Sequence, residues 1–395
     1  MSAWTRRLAA DLFPGTTSPL AWTLLRRPVE DALRQAYLEL GAPALPAAPL
    51  WQLQTDGQVF VNVAALAAAD AALRGAAWLG EVRPEPPAGL LARLQTGTAI
   101  RRTEARIAAA VREVTALHTG LARWLGWVRG QRWAQADLLQ VMEELEPQAT
   151  QALKTYFILR AGLPAAGRTV PEDACRAAHL RSADAARTML AVAGLPPDDP
   201  ARVAALAEHG HRGLGEARPD ARRWADAPDL LAQLAARIFG PSGASRVAEP
   251  GRAAGGEAQG WLALLEAADV AWDGVVMTLA AAQHWSVAAA AEARAAGLIA
   301  QSDDVVFLEL EELKQVATGE WHGGRQAETE TAVAERRRLY GAAQPYVLPA
   351  PGEPWPPDPG TAAFWLTDPA ATVTGDDPWS PGVLLARNLG VRLMV

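Results

Sequence analysis

The segment from Glu208 to Asp229 (EHGHRGLGEARPDARRWADAPD) concentrates the residue types that could do chemistry. His211, Arg212 and Glu216 place an imidazole, a guanidinium and a carboxylate within six residues, and Gly210, Gly213 and Gly215 let the backbone turn sharply or approach a ligand closely. In an enzyme, His211 would serve as general base and Arg212 as an anion clamp. In a structural loop, an Arg212–Glu216 ion pair would hold the same residues together. His209 and His211 stand two apart, but no third ligand of sensible spacing follows, so the sequence offers no metal site. GxxxxGK[ST], GxGxxG after a strand, HExxH and GxSxG do not occur, and no cofactor is expected. The acids Asp303, Asp304, Glu309, Glu311 and Glu312 read as a solvated face and as dipole partners at a helix start.

Fifteen tryptophans exceed ordinary usage. Several, Trp22 and Trp224 among them, fall on or beside amphipathic segments, where flat side chains could line a cavity for a bulky apolar small molecule or fill the core between helices. Trp22, His211, Arg212, Glu216 and Trp224 are therefore the candidate ligand-binding residues.

The elements that must position these residues are mostly helical. Ser18-Pro19 is a cap followed by the residue favoured at the first helical position, and Pro28 restarts a helical pattern that runs to Gly41. Gly57 to Leu66 reads as a short strand after a turn. Residues 87–130 form one long amphipathic helix or two in line, and Asp137 can cap a helix over 138–160. Helical patterns continue at 172–194, 200–209, 258–279, 281–298, 311–319 and 325–340, with a strand expected at Val305 to Leu310. Residues 241–260 read as a flexible segment, and 346–360 as a Pro-rich linker. Strand-like Thr361 to Leu366, a turn or short strand at 371–374, a helix at 381–389 and a strand at 391–395 make a miniature αβ unit. The expected fold is thus mainly α with a few short strands: a large helical domain over 1–345 and a small αβ unit over 361–395.

Composition narrows the function classes. Half of the 395 residues are apolar, enough for a sizeable core. A net charge of −7 excludes the concentrated positive field that nucleic acid or a membrane surface would reward. Cys175 is the sole cysteine, which excludes an intramolecular disulfide and fits a reducing compartment. No window reaches the roughly 18 apolar residues of a membrane span, and the chain reads as cytoplasmic.

Taken in order, four segments resemble the PEP-utilising phosphotransferases, the family of rifampin phosphotransferase and PEP synthase. Trp4-Thr5-Arg6 with Phe13 to Leu20 resembles the entry to the family's substrate domain, followed by the strand at Gly57 to Asn62. Gly210 to Glu216, with Arg223-Trp224 and Asp226 to Asp229, resembles its Gly-His-Arg-Gly…Glu…Pro-Arg-Trp…Asp-Pro pattern. Ala296 to Ile299 with Asp303 to Leu313 resembles a later segment. Residues 370–395 resemble the phosphohistidine domain: Ser380, Ala386, Arg387, Gly390 and Val391 keep its frame, but Pro381 stands where the phosphoryl-carrying histidine belongs. Proline has no nucleophilic nitrogen, so this position cannot carry phosphate. Trp272-Asp273 falls near where the family has an Arg-Glu pair.

The resemblance implies a substrate-binding middle domain followed by a truncated phosphohistidine domain, without the ATP-grasp domain that in the family would precede residue 1 and the PEP-binding barrel of PEP synthase that would follow residue 395. It implies a non-catalytic small-molecule-binding or partner protein. The alternatives are the acceptor-binding subunit of a split phosphotransferase, working with a separate ATP-grasp chain, and a repurposed enzyme using His211, Arg212 and Glu216.

Overall fold

The computed structural model describes residues 4–6, 8–54, 57–80, 90–163, 172–213, 215–227, 256–320, 326–340, 372–374, 380–388 and 392–394. After the one-turn helix α1 (Ala9–Leu12), four long helices carry the fold: α2 (Pro19–Leu40), α4 (Leu90–Arg129), α5 (Gln135–Gly162) and α9 (Gly256–Ala295). Their directions follow from side-chain contacts. Glu39 meets both Arg106 and Lys154, and Arg27 meets Glu146, so α2 and α5 run together while the start of α4 lies beside the end of α2. His118 meets Asp273, and a Cβ on Gly274 would lie 3.0 Å from Leu121, so α4 and α9 also run in a common direction. The Trp124 indole donates to Glu144 and that of Trp285 to the Leu138 carbonyl, fixing α5 antiparallel to both. The result is an up-down-up-down bundle with a continuous apolar interior.

Local sequence explains the boundaries. Ser18 caps α2 by accepting from Ala21 N–H, and Gly41 ends it at φ 98°. Pro28 does not interrupt this helix. The side chains around it, Leu24, Leu25, Val29, Ala32 and Leu33, are all buried, and their packing outweighs the one hydrogen bond proline removes. The expected helices at 258–279 and 281–298 are one helix, α9, which includes residues 256–260; the remainder of the expected flexible segment, 241–255, lies outside the described residues. Asp137 sits in the first turn of α5, accepting from Ala134 N–H, so that helix begins three residues earlier than a cap at 137 implied.

Two short helices, α6 (Glu172–Ala177) and α7 (Arg181–Val192), replace the single helix expected over 172–194. Carboxylates from α9 cause the break: Glu266 accepts from His179 N–H and Asp269 from Ser182 N–H, satisfying the start of α7 from outside. Helix α8 spans Pro200–His209. The strand expected at Val305 to Leu310 is instead a 3-10 helix, Ser302–Phe307, followed by α10 (Leu310–Ala317). A short apolar run cannot separate strand from helix by periodicity, and here the main chain is satisfied by Asp304 N–H to Gln301 O and Leu308 N–H to Val305 O. Helix α11 spans Gln326–Tyr340.

Strands β1 (Trp4–Thr5), β2 (Trp51–Leu53) and β3 (Val59–Asn62) form an antiparallel sheet in the order β1-β3-β2, with Gly57 (φ 76°) turning between β2 and β3. Asn62 ends β3 and caps α3 (Val63–Ala72). Near the C-terminus β4 (Thr372–Thr374) pairs in parallel with β5 (Arg392–Met394), joined through α12 (Pro381–Asn388), as a parallel pair requires a crossover. Helix α12 lies against α6 and α7. Asn388 fixes it by donating to the carbonyls of Cys175 and Ala178. The expected linker at 346–360 and strand at 361–366 lie outside the described residues.

Candidate functional site

The loop following α8 folds back on itself because two glycines permit it. Trp224 N–H donates to Arg212 O and Ala225 N–H to Gly210 O, so residues 210–213 lie directly against 222–225. A Cβ on Gly213 would collide with the Arg222 carbonyl, and one on Gly210 with the Leu206 carbonyl. This pairing turns the His211 and Arg212 side chains into the bundle, where they meet Asp273 of α9.

Asp273 of α9 is the hub. Its Oδ1 accepts from His211 Nε2 at 3.0 Å and Arg212 Nη1 at 2.6 Å; its Oδ2 accepts from His118 Nε2 at 2.8 Å and Arg181 Nε at 2.9 Å. Arg212 also grips Glu216 with its side edge, Nε to Oε2 at 3.1 Å and Nη2 to Oε1 at 2.8 Å. The Trp272 indole donates to Glu216 Oε1 at 3.1 Å. Arg223 crosses beneath and donates to the carbonyls of Glu216 and Arg218. One helical turn up α9, Asp269 accepts from both the N–H and the hydroxyl of Ser182.

Asp273 and Glu216 are fully buried, His211 is 1% exposed and Arg212 4%. Burial opposes ionisation of Asp273, but His211, Arg212 and the hydrogen bonds from both imidazoles prevail together and hold its pKa well below the usual carboxylate range. Burial likewise opposes the charge on Arg212, and Glu216 and Asp273 outweigh it, raising its pKa. At Asp269 burial wins over Arg212 and Ser182 and the pKa rises. Arg212 and Arg181 thus face Asp273 and Glu216, a closed set of charges in which each partner satisfies another.

This geometry limits the chemistry. An ionised carboxylate only accepts, so His211 and His118 both donate from Nε2. In a catalytic Asp–His pair the carboxylate orients one ring nitrogen while the other faces substrate in an open cleft. The His211 side chain, 1% exposed, faces no such cleft among the described residues. The side edge of Arg212 is committed to Glu216.

Of the five residues expected to bind a ligand, His211, Arg212 and Glu216 are brought together. Trp224 flanks them through its main chain and packs against Gly213. Trp22 lies apart, its ring 5.9 Å from that of Phe13, which in turn packs on Trp51. Pro381 occupies the first turn of α12 behind Ser380, whose hydroxyl accepts from Val383 N–H. It lines a small, partly open cavity of ≈ 20 Å³ between α12, α5 and α9, lined also by Tyr156, Arg160, Asp269 and Leu384 and about the size one water needs. A second, open groove of ≈ 450 Å³ lies where α2 and α3 end and α4 begins, lined by Leu40, Gly41, Ala72, Leu73, Ala99 and Arg102, with Thr98 and Thr103.

Sequence reasoning had the loop and missed its partners on the bundle: Asp273 as hub, with His118, Arg181, Asp269 and Ser182. The signal was Glu266, Asp269 and Asp273, spaced three and four apart on one face of a stretch, residues 261–282, that is otherwise apolar but for Thr278. Carboxylates on such a face must find donors from elsewhere in the fold. Among the described residues no group of three or more His, Cys, Asp and Glu side chains is placed to hold a metal ion, and no helix is long and apolar enough to cross a membrane. No protein-family model matches the chain, and no curated protein matches it.

Proposed function

We propose that this chain is a non-catalytic small-molecule-binding or partner protein, similar to PEP synthase and rifampin phosphotransferase in its substrate domain but without their phosphohistidine. The supporting observation is the state of the residues an active version would use: His211, Arg212 and Glu216 are buried and bonded to Asp273, Trp272 and one another. A group in that position orders a loop; to reach substrate it would first have to leave a buried ion pair, at a cost of about 3–5 kcal/mol. Pro381, at the first turn of α12, offers no nitrogen for phosphoryl transfer. Among the described residues, the groove at the ends of α2 and α3 offers a ligand space of suitable size: its ≈ 450 Å³ falls within the range of small-molecule sites, and its lining is mainly apolar beside Arg102.

Native mass spectrometry of the protein isolated gently from its source cells tests this reading. The expected result is an added small mass that is lost in Thr98→Trp, which fills the groove from an exposed position. A stoichiometric nucleotide-binding companion chain would instead make this the acceptor subunit of a split phosphotransferase. A bare single chain would contradict the proposal.

A further inference from the structure

The groove of ≈ 450 Å³ at the ends of α2 and α3 combines an apolar floor with a single charged side chain. Leu40 and Leu73 are buried beneath it, and Ala72 and Ala99 are half-buried along its walls. Thr98, Ala99, Arg102 and Thr103 line it from α4, where spacings of three and four put them on one face. Arg102 is exposed, and its stem lies across Gly41: Cδ and Nε are each 3.8 Å from where a Cβ at Gly41 would stand.

The C-terminal ends of two helices, taken alone, would favour a cation in this groove. Here their carbonyls are met within the protein. At the end of α2, Tyr37 O accepts from Ala42 N–H, Leu38 O from Gly41 N–H and Leu40 O from the Thr103 hydroxyl. At the end of α3, Ala69 O accepts from Leu73 N–H and Ala71 O from Arg74 N–H. The carboxylates of the same helices have partners too: Glu39 pairs with Arg106 and Lys154, and Asp70 accepts from the Tyr37 hydroxyl and from the N–H groups of Leu79 and Gly80. Glu104, two residues beyond Arg102, faces another side of α4. Arg102 thus forms no ion pair among the described residues, and the groove presents one unmatched guanidinium beside an apolar surface. A guanidinium offers two parallel N–H groups to a carboxylate, and a neighbouring apolar wall strengthens that contact by excluding water.

We propose that the groove binds an amphipathic carboxylate, its apolar body on Leu40, Ala72, Leu73 and Ala99 and its single anionic head against Arg102. This inference rests on the reading of the groove as the ligand site and adds the chemical class of the ligand.

Three probes with the same ten-carbon tail isolate the head: decanoate, decan-1-ol and decyltrimethylammonium. Isothermal titration calorimetry at pH 7, constant ionic strength and concentrations below micelle formation compares them in wild type, Arg102→Gln and Thr98→Trp. Wild type should bind decanoate about three- to ten-fold more tightly than decan-1-ol, and decyltrimethylammonium most weakly. Arg102→Gln, a change at an exposed position, should remove the preference for decanoate and leave decan-1-ol binding in place. Thr98→Trp should abolish binding of all three. Equal binding of decanoate and decan-1-ol, tighter binding of the cation, or a decanoate preference that survives Arg102→Gln overturns the carboxylate assignment and leaves the groove as a ligand site. Failure of all three to bind wild type, or binding that survives Thr98→Trp, overturns the groove reading and this inference with it.

Discussion

Single residues in this chain show burial and charge pulling in opposite directions, with different winners. At Asp273 the cations prevail, so folding favours the ionised form; its stabilisation is present above the unfolded pKa near 3.9 and is lost as pH falls through the lower folded value. Asp70 behaves oppositely. It accepts from the Tyr37 hydroxyl and from the N–H groups of Leu79 and Gly80, yet burial pushes its pKa up to about 6. The folded chain then holds a proton that the unfolded chain has released, so this contribution is complete below pH ~3.9 and is lost as pH rises through ~6. Urea unfolding followed from pH 4 to 7 should show Asp70→Asn with a flatter stability profile than wild type, by up to about 1.4 kcal/mol per pH unit. Asp70→Asn should also be less stable throughout, since its amide turns donor against donor at Gly80. A parallel profile would show that Asp70 ionises in the folded chain as it does unfolded.

Gly213 supplies a second test at this scale. Its missing Cβ lets the Arg222 carbonyl approach, so Gly213→Ala must push apart the two halves of the loop. A loss of about 1–3 kcal/mol is expected, typical of overpacking. Ala substituted at Gly120, where a Cβ meets nothing, should be neutral or stabilising, because it removes a helix-interior glycine.

At the scale of elements, α12 is held by its buried face, Val383, Leu384, Leu385 and Ala386, and by polar contacts at its two ends. Ser380 caps it, and Asn388 donates to the ends of α6 at Cys175 O and Ala178 O. Cys175 is buried, 2% exposed, on α6, against which α12 packs, so labelling of its thiol is a readout of docking. Asn388→Ala should speed labelling of Cys175 by a thiol reagent by ten-fold or more, corresponding to about 1.4 kcal/mol of lost docking free energy. Labelling at the wild-type rate would mean that α12 does not depend on this anchor.

Elements were also where the sequence was most and least informative. Ser18-Pro19 and Gly41 bracketed α2 because capping chemistry is local. The break between α6 and α7 could not be seen, since the groups that cause it, Glu266 and Asp269, lie more than eighty residues away. The 302–307 segment was misread because Val305, Phe307 and Leu308 fit a buried strand as well as a 3-10 turn against α9. In the site, His211, Arg212 and Glu216 were legible as a group through their glycines, whereas their burial depended on Asp273, whose role only the bundle's assembly decides.

Over the whole molecule, the apolar core runs without interruption from the N-terminal sheet through the bundle to α12, and the Asp273 network crosses its centre, tying α4, α7, α9 and the 209–227 loop. A structural network of this kind is expected to register in global stability, whereas a reaction centre tolerates removal of its charged residue or even gains stability from it. Equilibrium urea unfolding of Asp273→Asn against wild type at pH 7 distinguishes the two most directly. Asparagine turns an amide towards two of the four donors and leaves Arg212 with Glu216 as its remaining carboxylate contact, so a loss of about 3–5 kcal/mol with an unchanged slope is predicted. Stability within about 0.5 kcal/mol of wild type, or above it, would contradict the account and return His211, Arg212 and Glu216 to consideration as a reaction centre.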